Sequence, residues 1–209
     1  MTTARAHTRQ APKHDVGIAR AAGARTCLAD LEPGTEQTIL TYGQFSLIDA
    51  IVAVLDKTGP ADVAISTWTA GGADLTHAEG FLRDHRITRL RFIVDRSFLQ
   101  RQPGYARQLT DLFGVDAVRT TRSHAKFATV TAPGWTVSMP TAMNLNMNSR
   151  LEYLQVSTDP GLHAFFTQVV DDLWLEEPPG IQWDAGLPTL GSLPDIAPQH
   201  TIQMGQVTI

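Results

Sequence analysis

The chain has 209 residues, a formal net charge of −4 and a single cysteine, which excludes an internal disulfide framework and fits a reducing compartment. Its longest apolar stretches run to about ten residues, too few for a transmembrane helix, and no apolar block follows the N-terminal arginines as it would in a secretory signal. We therefore expect one domain in a cytoplasmic protein without a membrane anchor.

Charge is distributed in blocks along the chain. Residues 83–126 contain ten Lys/Arg and four acids, whereas residues 152–209 contain eight acids and no Lys or Arg. A local basic patch is what a polyanionic partner would need. Arginines on ordinary helix surfaces are an equally good interpretation.

Both ends of the chain lack hydrophobic periodicity, and the C-terminal end is rich in Pro, Gly and polar residues. Such compositions are typical of segments without a packed core. We predict a flexible N-terminal tail over 1–36, one domain over 37–177 and a Pro/Gly-rich C-terminal tail over 178–209.

Three strand–helix units open the domain. Ser46 with Asp49, and Thr76 with Glu79, have the spacing of helix capping boxes, and Gly114 suits a helix end. Consecutive units of this kind indicate a parallel sheet flanked by helices. The apolar patterns predict strands at 38–42, 61–69 and 90–95 and helices over 46–59, 76–86 and 103–114.

The second half of the domain predicts antiparallel strands. Pro133 and Gly134 suit the centre of a type II turn, and Asp159 with Pro160 marks the start of a last helix. We expect an α/β fold with a mixed parallel/antiparallel sheet of roughly six strands flanked by helices. The strands of this half are predicted at 123–131, 135–139 and 151–156, with a polar loop over 140–150.

The stretch HAKFATV, residues 124–130, contains a histidine and a lysine in an apolar run. If it is a strand, side chains alternate between faces, and His124 and Lys126 point the same way. Such a pair suits a phosphate, because lysine supplies fixed positive charge and an imidazole can attack phosphorus or transfer a proton.

Two later residues complete a candidate catalytic set. Asn144 lies in the loop after the returning strand, which an antiparallel hairpin brings back towards His124, and its amide could donate to a phosphate oxygen. Glu152 could accept a hydrogen bond from the second ring nitrogen of the histidine and fix its tautomer.

This pattern resembles the phospholipase D superfamily, in a single-motif, nuclease-like form. The resemblance rests on His-Ala-Lys at 124–126, Met-Asn-Leu-Asn at 143–146 and Asn-Ser-Arg-Leu-Glu at 148–152. It implies a phospholipase D-like fold over about residues 37–176 and a phosphodiesterase or phosphatidyl transferase that needs no metal or cofactor. By motif position, His124 is the nucleophile or acid, Lys126 and Asn144 bind phosphate, and Glu152 orients the histidine.

The chain departs from the family pattern at two places. Thr131 stands where the family has Asp, and Thr141 and Ala142 stand where it has Gly-Ser. Position 131 is seven residues from His124 and faces away from it on a regular strand, which favours a structural role. Thr141 could replace the missing serine as a phosphate donor.

Several further residues have open interpretations. Trp68 and Arg150 are candidates for substrate binding. The alternatives are a core position for Trp68, which its residue type favours, and a solvated surface position for Arg150. Asn146 and Asn148 fit turn formers. The remaining histidines show no metal-ligand spacing and are interpreted as surface residues, at positions 7, 14, 77, 85, 163 and 200.

Only one copy of the motif is present, whereas the family active site combines two. The resemblance therefore implies a homodimer with one His124 from each subunit at a shared phosphate. Short members of the family are nucleases, so DNA or RNA is the expected substrate. The alternatives are a catalytically inactive nucleic-acid-binding or assembly protein with the same fold, and a phosphatidyl-transferring enzyme.

Overall fold

The structure, a computed structural model, describes residues 14–18, 23–84, 86–146 and 149–181. Within them one eight-stranded sheet has the order β1-β2-β8-β7-β6-β3-β4-β5. The strands are β1 His14–Ile18, β2 Glu36–Thr41, β3 Ala61–Thr67, β4 Ile87–Asp95, β5 Val118–Thr121, β6 Phe127–Ala132, β7 Trp135–Pro140 and β8 Glu152–Ser157. The helices are α1 Ala24–Cys27, α2 Leu47–Thr58, α3 Gly72–Arg83, α4 Phe98–Arg101, α5 Pro103–Phe113 and α6 Pro160–Glu176.

The sheet is mixed, as predicted. Strands β3, β4 and β5 are parallel, and β1 is parallel to β2. Strands β3, β6, β7, β8 and β2 alternate in direction. The predicted α/β class with helices flanking a mixed sheet is confirmed.

Helices cover the two faces unequally. Helices α2, α3 and α5 contact the sheet on one side and enclose the main core, which includes Ile51, Phe92 and Leu154. Helix α6 packs on the opposite side against β6 and β7, where Phe127 and Val170 belong to a smaller core. We call these the main face and the α6 face.

Local sequence signals fix several element ends. The Ser46–Asp49 capping box before α2 forms as predicted, and the Asp159 side chain accepts from Leu162 N at the start of α6. Pro133 and Gly134 form the two-residue turn between β6 and β7, and Gly134 adopts a φ of 78° that favours glycine.

The predicted start of α3 is wrong. The helix begins at Gly72, so Thr76 lies inside it and its hydroxyl donates to Gly72 O at 3.0 Å. The earlier start buries Asp74 and Leu75 and is linked to the loop after β7 by the bond from Gly71 N to Leu145 O. This contact is remote in sequence, so local capping signals do not reveal it.

Four elements of the structure were not predicted from the sequence: β1, α1, α4 and β5. Two of these, β1 and α1, lie inside the segment 1–36 that was predicted to be a tail. Residues 182–209 of the predicted C-terminal tail, like residues 1–13 and 19–22, lie outside the described residues.

Candidate active site

All the candidate residues occur at one edge of the sheet. Because of the strand directions, β2, β3, β4, β5 and β7 end at the edge where β6 and β8 begin. We call it the carboxyl edge. Ligands of open α/β sheets commonly bind beyond the carboxyl ends of strands.

His124 and Lys126 lie in the segment before β6, not on a strand as predicted, because β6 begins only at Phe127. The segment is nevertheless fixed on both sides. Ser66 Oγ donates to Ala125 O at 2.8 Å, and Thr141 N donates to Lys126 O at 3.0 Å. His124 is therefore exposed at a defined position on the carboxyl edge.

Lys126 is half-buried, and its ammonium group lies close to the histidine backbone. The Nζ atom is 3.4 Å from the carbonyl oxygen of His124. A further hydrogen bond holds this segment to the end of β4, because Asp95 Oδ2 accepts from Ser123 N at 3.0 Å. The cation and the imidazole thus share one short, anchored segment.

An aromatic contact supports the His124 ring from the end of β3. The Trp68 and His124 rings meet edge to face, with centroids 5.5 Å apart and planes at 63°. The guanidinium carbon of Arg101 lies 3.4 Å from the Trp68 ring centroid, and Arg101 Nη2 donates to Trp68 O at 3.0 Å. Trp68 is half-buried and lies in contact with the histidine at the candidate site.

Arg101 is the site residue that sequence reasoning missed. It comes from α4, a four-residue helix that follows β4 at the carboxyl edge. A cation over an indole face stabilises the pair by about 0.5–2 kcal/mol. The only sequence signal was the occurrence of two arginines, Arg96 and Arg101, in the six residues after the predicted strand 90–95.

Asn144 lies in the loop after β7, and this loop is attached to the end of β3. Leu145 N donates to Thr67 Oγ1 at 3.1 Å, and Leu145 O accepts from Gly71 N at 2.6 Å. The Oδ1 atoms of Asn144 and Asn146 are buried without a hydrogen-bond partner among the described residues. Asn146, predicted to be a turn former, therefore also places an amide oxygen without a hydrogen-bond partner in the loop after β7. Asn148 lies outside the described residues.

Thr141 already uses its hydroxyl within the protein. Its Oγ1 donates to Tyr153 O at 2.6 Å and accepts from Met143 N at 3.0 Å. A hydroxyl has one proton, so Thr141 in this state orders the loop instead of offering a donor to phosphate. Ala142 is exposed and has no hydroxyl.

Glu152 and Arg150 lie further along the same edge. Glu152 is the first residue of β8, is half-buried, and pairs with Thr41 of β2. Strand β7 lies between β8 and β6, so the backbones of β8 and β6 are about 10 Å apart. A hydrogen bond between the side chains of Glu152 and His124 has to span the end of β7. Arg150 is exposed.

Thr131 lies at the other end of β6, about 13 Å beyond Phe127. Its hydroxyl is 2.9 Å from Nε2 of His163 on α6, and Nδ1 of His163 is 3.1 Å from Val137 O. The prediction that His163 is a surface residue is wrong, since only 5% of it is exposed. Burial lowers the pKa of His163, and the Val137 carbonyl partly opposes this shift.

The basic segment 83–126 does not form one continuous patch. Arg86, Arg91 and Arg96 pair with acids on other elements, and Arg119 is buried beside the Trp174 ring. Arg101, Arg122 and Lys126 lie at or next to the carboxyl edge. Part of the positive charge therefore lies beside His124, and part stabilises the fold.

Among the described residues there is no group of three or more His, Cys, Asp or Glu side chains placed to hold a metal ion. No helix in the described part of the chain is long and apolar enough to cross a membrane.

Comparisons with known proteins find similarity only at the level of structure. No family model and no curated protein matches the chain. Solved structures with a similar fold include Nuc, a phospholipase D family member from Salmonella typhimurium, at a TM-score of 0.46 and 12% identity over 70% of this chain and 99% of that one. Polyphosphate kinase from Porphyromonas gingivalis gives 0.49 and 11% over 74% of this chain and 29% of the kinase.

A third similar structure is TrmBL2, an archaeal chromatin protein described as showing a novel mode of DNA binding. It gives a TM-score of 0.43 and 8% identity over 71% of this chain and 54% of that protein. This chain thus spans nearly all of Nuc but only part of the other two. At identities of 8–12% these similarities concern the fold alone.

Proposed function

We propose that the protein is a metal-independent phosphodiesterase of the phospholipase D type that cleaves nucleic acid through a phosphohistidine intermediate. The main support is the exposed His124, whose segment is anchored at the carboxyl edge beside Lys126 and whose ring meets the Trp68 ring edge to face. An accessible imidazole beside a fixed cation can attack a phosphorus atom whose charge the cation offsets.

Each residue of the candidate site has one role in the proposed reaction. The imidazole of one His124 attacks phosphorus and forms a P–N bond while the P–O bond to the leaving oxygen breaks. The second His124, from the other subunit, donates a proton to that oxygen. The second histidine then removes a proton from water, which attacks phosphorus and releases the first imidazole. Lys126 and the Asn144 amide bind the non-bridging oxygens, and Glu152 orients an imidazole.

A dimer is needed because the chain has a single His-x-Lys motif. Surface chemistry at the carboxyl edge supports this. Tyr42 is 57% exposed and Leu151 is 52% exposed, at the end of β2 and just before β8. The pairing of Thr41 with Glu152 places Tyr42 and Leu151 next to each other beside Glu152, so a second copy that docks at this edge would cover both side chains.

Nucleic acid is the proposed substrate because cations and an aromatic ring occur together. Lys126, Arg101 and Arg150 supply positive charge for the phosphate backbone. Trp68 is half-buried with one ring face covered by Arg101. Base stacking on aromatic rings is a common way of holding single-stranded nucleic acid.

The decisive experiment measures cleavage of bis(p-nitrophenyl) phosphate and of single- and double-stranded DNA and RNA in excess EDTA. We expect turnover in EDTA that His124→Ala abolishes and Lys126→Met reduces by about a hundredfold or more, because a transition-state contact is lost. Lys57→Met is the matched control, since Lys57 lies on α2 and its Nζ contacts Ala29 O. A requirement for added magnesium would contradict the proposal.

The alternative, a catalytically inactive nucleic-acid-binding or assembly protein with this fold, has its own support. Thr131 replaces the family acid, Ala142 has no hydroxyl and the Thr141 hydroxyl is occupied by Tyr153 O. Salt-dependent DNA binding without turnover of any substrate would favour it. Phosphatidyl transfer is tested by the same preparation with phospholipid vesicles, and a protein that stays unbound on flotation would argue against it.

A further inference from the structure

An open pocket lies at the amino end of α5, beside the carboxyl edge of the sheet. Its volume is about 450 Å³, within the range of roughly 300–1,000 Å³ typical of small-molecule sites. The residues that line it are Gln102, Gly104, Tyr105 and Gln108, and none of these side chains carries a charge. We call it the α5 pocket.

Tyr105 supplies the aromatic surface of the α5 pocket. Its side chain is 41% exposed, whereas one edge of the ring packs closely against the start of α3. A Cβ atom added at Gly72 would lie only 3.2 Å from Cε1 of Tyr105. The ring is therefore positioned by the backbone at Gly72 and still offers a large part of its surface to a ligand.

The two glutamine amides of the pocket are each held at one end. Gln102 Oε1 accepts from the Thr69 hydroxyl. Gln108 Nε2 donates to Gly72 O at 3.4 Å and to Thr76 Oγ1 at 3.5 Å. The other ends, Nε2 of Gln102 and Oε1 of Gln108, have no hydrogen-bond partner among the described residues, and neither atom is buried. The pocket thus offers one accessible amide donor and one accessible amide acceptor.

The α5 pocket adjoins the candidate active site through two pairs of chain neighbours. Gln102 directly follows Arg101, whose guanidinium covers the Trp68 ring, and that ring meets the ring of His124. Thr69, which donates to Gln102, directly follows Trp68. A polynucleotide with a phosphate at His124 can therefore reach the α5 pocket with a neighbouring nucleotide.

We propose that the α5 pocket binds one unpaired nucleobase of a strand whose phosphate lies at the candidate active site. The base stacks on Tyr105, and its polar edge, which carries both donors and acceptors, faces the amides of Gln102 and Gln108. The uncharged lining suits a neutral ring and disfavours a phosphate group. Because the edge of a paired base is occupied by its partner, the pocket selects single-stranded nucleic acid. This inference rests on nucleic acid being the substrate under the proposed function.

The test measures binding by fluorescence anisotropy in EDTA, with His124→Ala in every protein so that cleavage does not alter the probe. The probes are a short labelled single-stranded DNA, the same strand with abasic sites in place of its nucleotides, and a blunt duplex of the same sequence. Tyr105→Ala should raise the Kd for the base-containing strand about tenfold, as expected for the loss of one stacked base. It should leave the Kd of the abasic strand and of the duplex unchanged.

Two further variants separate a base contact from a general effect on the surface. Tyr105→Phe keeps the ring and should retain the affinity of the parent protein. Leu175→Ala is the control, because it also truncates an exposed apolar side chain but lies on α6. Far-UV circular dichroism checks that all variants fold.

The outcomes separate this inference from the proposed catalysis. Equal Kd values of Tyr105→Ala and Leu175→Ala for the base-containing strand, or equal weakening on the abasic strand, would overturn the base pocket. Absence of oligonucleotide binding, the result expected if the pocket holds a protein partner, would overturn it as well. Base-dependent binding by a protein that shows no turnover with His124 intact would contradict only the phosphodiesterase activity.

Discussion

Replacing His163 with glutamine is expected to remove an acid-dependent loss of stability. The imidazole is buried between Thr131 and Val137, and burial lowers its pKa in the folded protein. In the unfolded chain the pKa of histidine is about 6.5. The folded state therefore favours the neutral ring, so this contribution to stability is complete above about pH 6.5 and is lost as the pH falls below it.

The hydrogen bonds explain why protonation is unfavourable. Val137 O can only accept, so the Nδ1 of the neutral ring donates to it, and Nε2 accepts from the Thr131 hydroxyl. A proton on Nε2 would require the hydroxyl to turn and would place a charge in a buried position. A single group of this kind lowers the free energy of unfolding by at most about 1.4 kcal/mol per pH unit.

The assay is urea unfolding, followed by far-UV circular dichroism at about pH 7.5, 6.5 and 5.5. His163→Gln lowers stability at every pH through its lost packing and hydrogen bonds, so only the difference between the two pH profiles is informative. Because the unfolded histidine is already half protonated at about pH 6.5, we expect the wild type to lose up to about 1 kcal/mol more than the variant between about pH 6.5 and 5.5. Parallel profiles would refute the assignment of this acid sensitivity to His163.

Three other substitutions give independent tests. Thr131→Asp places a carboxylate beside the His163 imidazole, which raises the pKa of His163 relative to the wild type, so the same urea series should show a smaller loss in acid. Ser46→Ala removes the cap of α2 and should cost about 1 kcal/mol of unfolding free energy; an unchanged urea midpoint would contradict the cap. Arg101→Gln removes the cation over Trp68 and should slow DNA cleavage more at low salt than at high salt, whereas a salt-independent effect would argue against a role for its charge.

Most of the fold could be predicted from local patterns. The period-2 and helical spacings identified β2, β3, β4, α2, α5 and α6, and the Pro133–Gly134 turn identified the hairpin. Strand β5 was missed because it has four residues and includes Arg119, whose buried guanidinium lies against Trp174 on α6. Nothing near Arg119 in sequence indicates that contact.

The sequence singles out the candidate residues but not the contacts that hold them in place. His124 and Lys126 were recognised by residue type, yet their loop conformation depends on Ser66, 59 residues away from the carbonyl it binds. Arg101 and Trp68 are 33 residues apart, and their stack has no periodic signal. The position of His163 depends on a strand and a helix packing together, which single-residue reasoning does not address.

The pairing of β2 with β8 has a consequence for biosynthesis. Ile39 lies opposite Leu154, so β2 leaves the ribosome about 115 residues before its antiparallel partner, or roughly 6–23 s at 5–20 residues per second. During that interval α2 and the β3–β4–β5 units can already assemble from neighbouring segments, while one side of β2 has no strand to pair with. The nascent chain therefore presents an open strand edge on β2 until β8 has been synthesised.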